Sequence, residues 1–142
     1  MYTIETFDFS DKSKTGIAFT IRNTVFVEEQ KVSQDEEYDE YETIAQHYLI
    51  YVDGFPAGTA RMRETEKGTK LERFAILTDF RNKGAGSALV KRVLEDALPK
   101  GRTIYLHAQV PAMNVYARAG FVPEGDLFYE ADIPHYKMVF KG

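Results

Sequence analysis

The stretch "RNKGAGSALV", residues 81–90, decides how the chain is read. It follows "TKLERFAIL", residues 69–77, an apolar run that reads as a central strand, and it opens a helix. A strand-to-helix turn exposes unpaired N–H groups and partial positive charge, so it favours an anion. Gly84 and Gly86 lack a Cβ and let a phosphate come close to the main chain, while Arg81 and Lys83 add charge to the turn. The plain alternative is a turn that uses glycine for its geometry alone. Two familiar phosphate-binding patterns fail on spacing. A dinucleotide fingerprint needs a third glycine three residues beyond Gly86, where the chain has Leu89. A nucleotide P-loop needs lysine after its glycine, whereas Lys83 precedes Gly84. Hydride transfer and ATP hydrolysis are therefore disfavoured.

Working outward, Ala88, Leu89, Val93 and Leu94 give a helix from Gly84 to Leu98 one apolar face, and Pro99 and Gly101 stop it. Upstream, "HYLIYVDGFPAGTARMRE" (47–64) predicts a hairpin around Asp53-Gly54. Tyr2 to Phe7 alternate as a first strand. Ser10 or Asp11 then caps a helix with Ala18, Ile21 and Val25 on one stripe, ending near "VEEQ" (27–30). "SQDEEYDEYE" (33–42) reads as an acidic loop or lid, either a solvated connection or a substrate rim. "TIYLHAQV" (103–110) is a strand, and a short helix runs from Ala112 to Ala119 and ends at Gly120. Strands near Val122–Tyr129 and Tyr136–Phe140 follow. This order predicts one α/β domain over residues 1–142, a mixed sheet covered by helices.

Composition sets the bounds. The 142 residues are 44% hydrophobic and 13% aromatic, enough for one core. A net charge of -4 disfavours bulk attraction to nucleic acid. The absence of cysteine excludes disulfides, thiolate metal sites and a cysteine nucleophile, and fits a reducing cytoplasm. The N-terminus lacks the pattern of a signal peptide, and no apolar run nears the ~20 residues needed to span a bilayer. The expectation is a cytoplasmic protein without membrane or nucleic-acid partners. Three histidines on separate elements lack ligand spacing, so no metal is expected.

Two spaced signatures give the chain a resemblance to the GNAT superfamily of N-acetyltransferases. The first is Ile76 at an apolar strand end, followed by Arg81, Gly84 and Gly86; the second is Tyr116, Gly120 and Phe121, with Ala112 ahead of the tyrosine. The chain departs from the family at Gln109, where asparagine is usual. "IRNTVFVEEQ", "LHAQ" and "IPHY" are similar to the ElaA-like branch of small bacterial acetyltransferases. The resemblance implies a mixed, mostly antiparallel sheet with helices on both faces, splayed between strands four and five by a bulge in the fourth. It implies acetyl-CoA as co-substrate, with its pyrophosphate on the turn amides of Asn82, Lys83, Gly84, Ala85, Gly86 and Ser87 beside Arg81. Its pantetheine arm would pair with the backbone of Phe74, Ala75 and Ile76 as an added strand does. Paired subunits are common in relatives, which allows a homodimer.

Acetyl transfer from a thioester to an amine needs a neutral amine, a stabilised oxyanion and a leaving thiolate. Without cysteine, direct attack in a ternary complex is favoured over an acyl-enzyme. By the resemblance Tyr116 is the general acid; a phenol near 10 gives its proton to a thiolate near 8.5 at little cost. Imidazole titrates nearest neutrality, so His47, His107 and His135 are the candidate bases. "IPHYKMVF" (133–140) is similar to the segment bearing the catalytic histidine of glyphosate N-acetyltransferase, which favours His135, with Pro134 aiming the ring. A strand-edge histidine is the plain reading of that residue, and His107 is the second choice. Histone-modifying relatives use a glutamate on strand four, where this chain has Lys70; Glu72 is expected to point differently. Glu29, Arg73 and His107 are candidates for the acceptor site, either as binding groups or as ordinary surface charge. The reaction expected is acetylation of a small-molecule primary amine. A non-catalytic acyl-CoA binding module and an acetyltransferase acting on protein lysines or N-termini are the alternatives.

Overall fold

The computed structural model describes residues 1–142, apart from the side chains of Asp35 and Glu36. The chain runs β1 (Tyr2–Phe7), α1 (Lys12–Arg22), α2 (Gln34–Glu37), β2 (Gln46–Val52), β3 (Phe55–Thr65) and β4 (Gly68–Ile76). It continues through α3 (Ala85–Ala97), β5 (Ile104–Gln109), α4 (Met113–Arg118), β6 (Phe121–Pro123), β7 (Phe128–Glu130) and β8 (Ile133–Phe140). The strands lie in the order β1-β2-β3-β4-β5-β8-β6, with β7 also on β8. Every pairing is antiparallel except β4 with β5.

Period-two alternation sets the faces. In β2, Tyr48 and Ile50 join one buried cluster and Leu49 joins the other. The first cluster holds Leu89 and Val93 of α3 and Tyr116 of α4; the second holds Ala18 and Ile21 of α1. Helices therefore cover both faces. Asp53 and Gly54, at φ 50° and 86°, make the tight turn expected between β2 and β3. Asp11 caps α1, its side chain accepting from the Lys14 N–H at 3.1 Å. The helix then widens into a π-helical stretch, Asn23–Glu29. Such widening is uncommon and recurs at functional sites.

The bulge sits in β4. Thr59 pairs with Ala75 but Arg61 pairs with Glu72, so β4 carries one extra residue there, and Arg73 takes φ 57°. Strict alternation would put Leu71, Arg73 and Ala75 on one face. The bulge instead sends Phe74 and Ile76 to the cluster that holds Leu71. Beyond Lys70 the strands part: β4 meets β5 only at Thr69–Ile104 and Lys70–Tyr105. The rest of that edge of β4 faces a cleft.

Two expectations need correction. The strand expected over Val122–Tyr129 is two short strands, β6 and β7, interrupted around Gly125 at φ 86°. A second tight turn at Ala131 and Asp132, with φ 49° and 61°, joins β7 to β8, and β8 starts at Ile133 rather than Tyr136. The acidic segment 33–42 is not merely solvated. Glu37 and Glu42 turn inward onto Arg22, with contacts of 2.8 and 2.7 Å. Arg61 binds Asp39 at 2.7 Å, Glu42 at 2.9 Å and Glu72 at 2.5 Å. Arg22 and Arg61 are each 1% exposed, so this network is a buried polar core.

Candidate active site

A cleft of about 930 Å³ opens where β4 and β5 diverge, within the usual range for a small-molecule site. Asn82, Gly84, Gly86 and Ser87 line it at the glycine turn, and Phe74, Ala75 and Ile76 line it on β4. Arg73, His107, Tyr116 and His135 also line it. Lys83, Ala85 and Glu29 do not; Ala85, the first residue of α3, is buried in the core.

The turn is built to leave main chain uncovered. Gly84 caps α3 at φ 85°, a left-handed conformation. A Cβ there would come within 2.9 Å of the Tyr2 hydroxyl, which donates to the Lys83 carbonyl and ties the turn to β1. Gly86 is different. A Cβ on it would meet only Ile76, at 3.8 Å, an ordinary contact, so no neighbouring protein group demands glycine. What its bareness preserves is open backbone at the first turn of a 13-residue helix. These groups suit a diphosphate. The Arg81 guanidinium is already engaged: it donates to both Glu29 oxygens at 2.6 and 2.8 Å and to the Ile76 carbonyl at 2.8 Å. That departs from the expectation that it adds free charge to the turn and that Glu29 faces the acceptor. The pair holds the Glu29 carboxyl below its ordinary value and clamps the π-helical end of α1 to the glycine turn.

Tyr116 packs edge-on to Phe74 and Phe121, with ring centroids 5.7 and 6.3 Å away. Among the described residues its hydroxyl has no protein hydrogen-bond partner, yet it is not sealed from the cleft. Burial raises the phenol, which keeps its proton throughout the neutral range.

The three histidines part company. His47 lies in the core, stacked on Phe7, its Nε2–H donating to the Glu42 carbonyl at 2.9 Å; burial lowers it, so it is neutral and structural. His107 and His135 come together in the cleft around Glu130, which is 2.9 Å from His107 Nδ1 and 3.7 Å from His135 Nε2. Glu130 is the residue that sequence reading missed. Its position depends on a turn at Ala131-Asp132, which lacks the glycine that marks such turns. Gln109, the departure from the family pattern, donates through Nε2 to Gln30 Oε1 at 2.8 Å; both residues line the cleft.

Glu72 does not point away from Lys70. Two residues apart on one strand, they share a face and lie 3.3 Å apart. Burial alone would raise the Glu72 carboxyl, but Arg61, Lys70, Arg63 and Arg73 outweigh it and hold it at about 2. Such a weak base cannot take a proton from an ammonium, so Glu72 is a structural carboxylate. Arg73 donates to Asp39 Oδ2 at 3.2 Å and to the Glu37 carbonyl at 3.3 Å. No cluster of three or more metal-ligating side chains occurs among the described residues.

A bulged, splayed sheet with an open glycine turn and a buried tyrosine defines an acetyl-transfer enzyme of the GNAT type. Residues 9–141 match the family model described as "Acetyltransferase (GNAT) domain", and the chain belongs to that family as an N-acetyltransferase. It is 40% identical to the Bacillus subtilis (strain 168) protein YyaT over 125 residues, 85% of this chain and 84% of that protein. It is 36% identical to the B. subtilis N-acetyltransferase YjcF over 124 residues, 86% of this chain and 89% of that one. An acyl-CoA N-acyltransferase from Pseudomonas aeruginosa superposes with TM-score 0.87 at 26% identity, covering 99% of this chain and 100% of that one. Escherichia coli ElaA shares the fold, with TM-score 0.88, 23% identity, and coverage of 99% and 100%. GNAT-fold acetyltransferases use acetyl-CoA. No helix is long and apolar enough to cross a membrane among the described residues.

Proposed function

We propose that the chain acetylates the primary amine of a small molecule, using acetyl-CoA, by direct attack in a ternary complex. The observation that carries this reading is a single cleft lined by the glycine turn, the unpartnered Tyr116 hydroxyl and His135. Acetyl-CoA, when bound, supplies an acetyl group activated as a thioester. Asn82 to Ser87 offer main-chain N–H groups to its pyrophosphate, and the free edge of β4 at Phe74–Ile76 offers backbone groups to its pantetheine arm. His135 Nδ1–H donates to the Ile133 carbonyl at 2.7 Å. A carbonyl only accepts, so Nδ1 carries the proton and Nε2 carries the lone pair. Nε2 takes a proton from the acceptor ammonium and frees the attacking pair. A new N–C bond replaces the C–S bond, and Tyr116 gives its proton to the departing sulfur. The proton that nitrogen sheds on becoming an amide restores the phenol. Phe74 and Phe121 keep water from the Tyr116 ring.

The small acceptor is favoured over a lysine-rich protein segment because Glu37, Asp39 and Glu42 are committed to buried arginines. They leave the acidic loop with less free charge to attract a basic tail. Purified protein mixed with acetyl-CoA and a panel of primary amines is expected to release free thiol with at least one of them. In the same assay Gly86→Val is expected to stay folded but to raise the KM for acetyl-CoA by about tenfold or more, since its side chain meets the ligand rather than the protein. Calorimetric binding of CoA with no thiol release from any amine would point to a binding module instead. A lysate incubated with labelled acetyl-CoA that carries its label on peptides alone would point to protein acceptors.

A further inference from the structure

We propose that Glu130 is a positioning residue of the acetyl transfer: held by His107, it places a negative charge beside Nε2 of His135, where the acceptor's proton arrives. This rests on reading His135 as the base.

Glu130 ends β7, and Ala131 and Asp132 follow it at φ 49° and 61°. Few non-glycine residues enter that region, so two in succession mark a tight turn. The turn carries Glu130 to the wall of the cleft, next to the paired strands β5 and β8. One carboxylate oxygen accepts from His107 Nδ1–H at 2.9 Å. The other lies 3.7 Å from His135 Nε2. That gap is too long for a hydrogen bond and short enough for charge to act. It also leaves Nε2 free to meet an ammonium. Phe128 fixes both rings, stacked on His135 at 5.8 Å and edge-on to His107 at 5.0 Å.

The charged and titratable groups facing Glu130 come from three strands: His107 on β5, Lys70 on β4 and His135 on β8. Lys70 is itself paired with Glu72. Burial acts to raise the Glu130 carboxyl, but His107, Lys70 and His135 together keep it low and ionised. A purely structural carboxylate would serve as well with its second oxygen turned to water. Here that oxygen faces the lone pair that the chemistry uses.

The test reads the histidine rings directly. Ring C–H shifts of the free enzyme are followed against pH by NMR in the wild type, Glu130→Gln and Glu130→Asp, with His135 assigned from His135→Gln. Loss of the charge is expected to move the His135 titration midpoint down by about one pH unit in Glu130→Gln, and by less than half of that in Glu130→Asp. With the amine that gives the fastest thiol release, the acidic limb of log kcat/KM should move down in parallel. In Glu130→Gln kcat should fall about tenfold, with KM for acetyl-CoA unchanged. A midpoint and limb that stay in place in Glu130→Gln overturn the proposal, even if kcat falls. If His135→Gln keeps full turnover, the assignment of the base fails, and this proposal with it. If that variant is inactive while Glu130→Gln leaves the limb unmoved, only the role of Glu130 fails.

Discussion

Arg61→Met is expected to lower the unfolding free energy by about 3 kcal/mol at neutral pH, measured by urea denaturation. Arg61 is the hub of the buried network, with contacts to Asp39, Glu42 and Glu72. Methionine fills much of the same space but leaves those carboxylates short of a counter-charge inside the protein. Arg22, Arg63 and Arg73 each still hold one of them, which keeps the loss at the low end for a broken buried pair. For a domain of this size the loss corresponds to a fall in Tm of roughly 10 °C.

The deficit should depend on pH in a defined direction. Glu72 is depressed to about 2 from an ordinary 4.5. Its contribution is therefore fully present above about pH 4.5 and is lost as the pH falls toward 2. The gap between wild type and Arg61→Met should narrow over that window. A gap that stays constant down to pH 2 would mean that packing, not charge, sets the value of Arg61. The same network fixes the wall of the cleft that holds Arg63, Lys70 and Arg73, so the variant should also lose acceptor affinity.

Tyr116→Phe is expected to reduce kcat by about a hundredfold or more while leaving the affinity for CoA within about twofold. The phenol is buried, ionises only above its ordinary range and has no protein hydrogen-bond partner among the described residues. The desolvation that holds it protonated also makes a nearby thiolate more basic, so proton transfer between them stays favourable. Removing the oxygen breaks no internal hydrogen bond. The variant should therefore be as stable as the wild type or slightly more stable, a pattern that separates a reacting group from a structural one. A loss of stability with little loss of kcat would assign Tyr116 to the core.

Much of this arrangement was legible in local patterns. Asp53-Gly54 marked its hairpin, because a turn with positive φ at both positions selects such residues. Gly84, at φ 85°, marked the turn before α3 for the same kind of reason. Tyr116 and Gly120 were placed by the resemblance; Gly120 at φ 108° packs where a Cβ would lie 2.9 Å from Phe140. What stayed hidden depends on contacts distant in sequence. Nothing in "SQDEEYDEYE" shows that Glu37 and Glu42 fold onto Arg22 and Arg61, because buried and solvated carboxylates look alike in sequence. Arg81 read as a phosphate ligand, and only the approach of α1 shows that Glu29 holds it. Glu130 was hidden because Ala131 and Asp132 adopt a conformation that neither residue advertises.

Under the proposed function, the turn at Asn82–Ser87 and Tyr116 hold the two ends of one ligand. A crystal structure of the enzyme with CoA tests it most directly. The pyrophosphate should rest on the amides around Gly84 and Gly86, and the sulfur should lie within hydrogen-bonding reach of the Tyr116 hydroxyl. CoA bound elsewhere, or with its thiol directed away from Tyr116, would contradict the account.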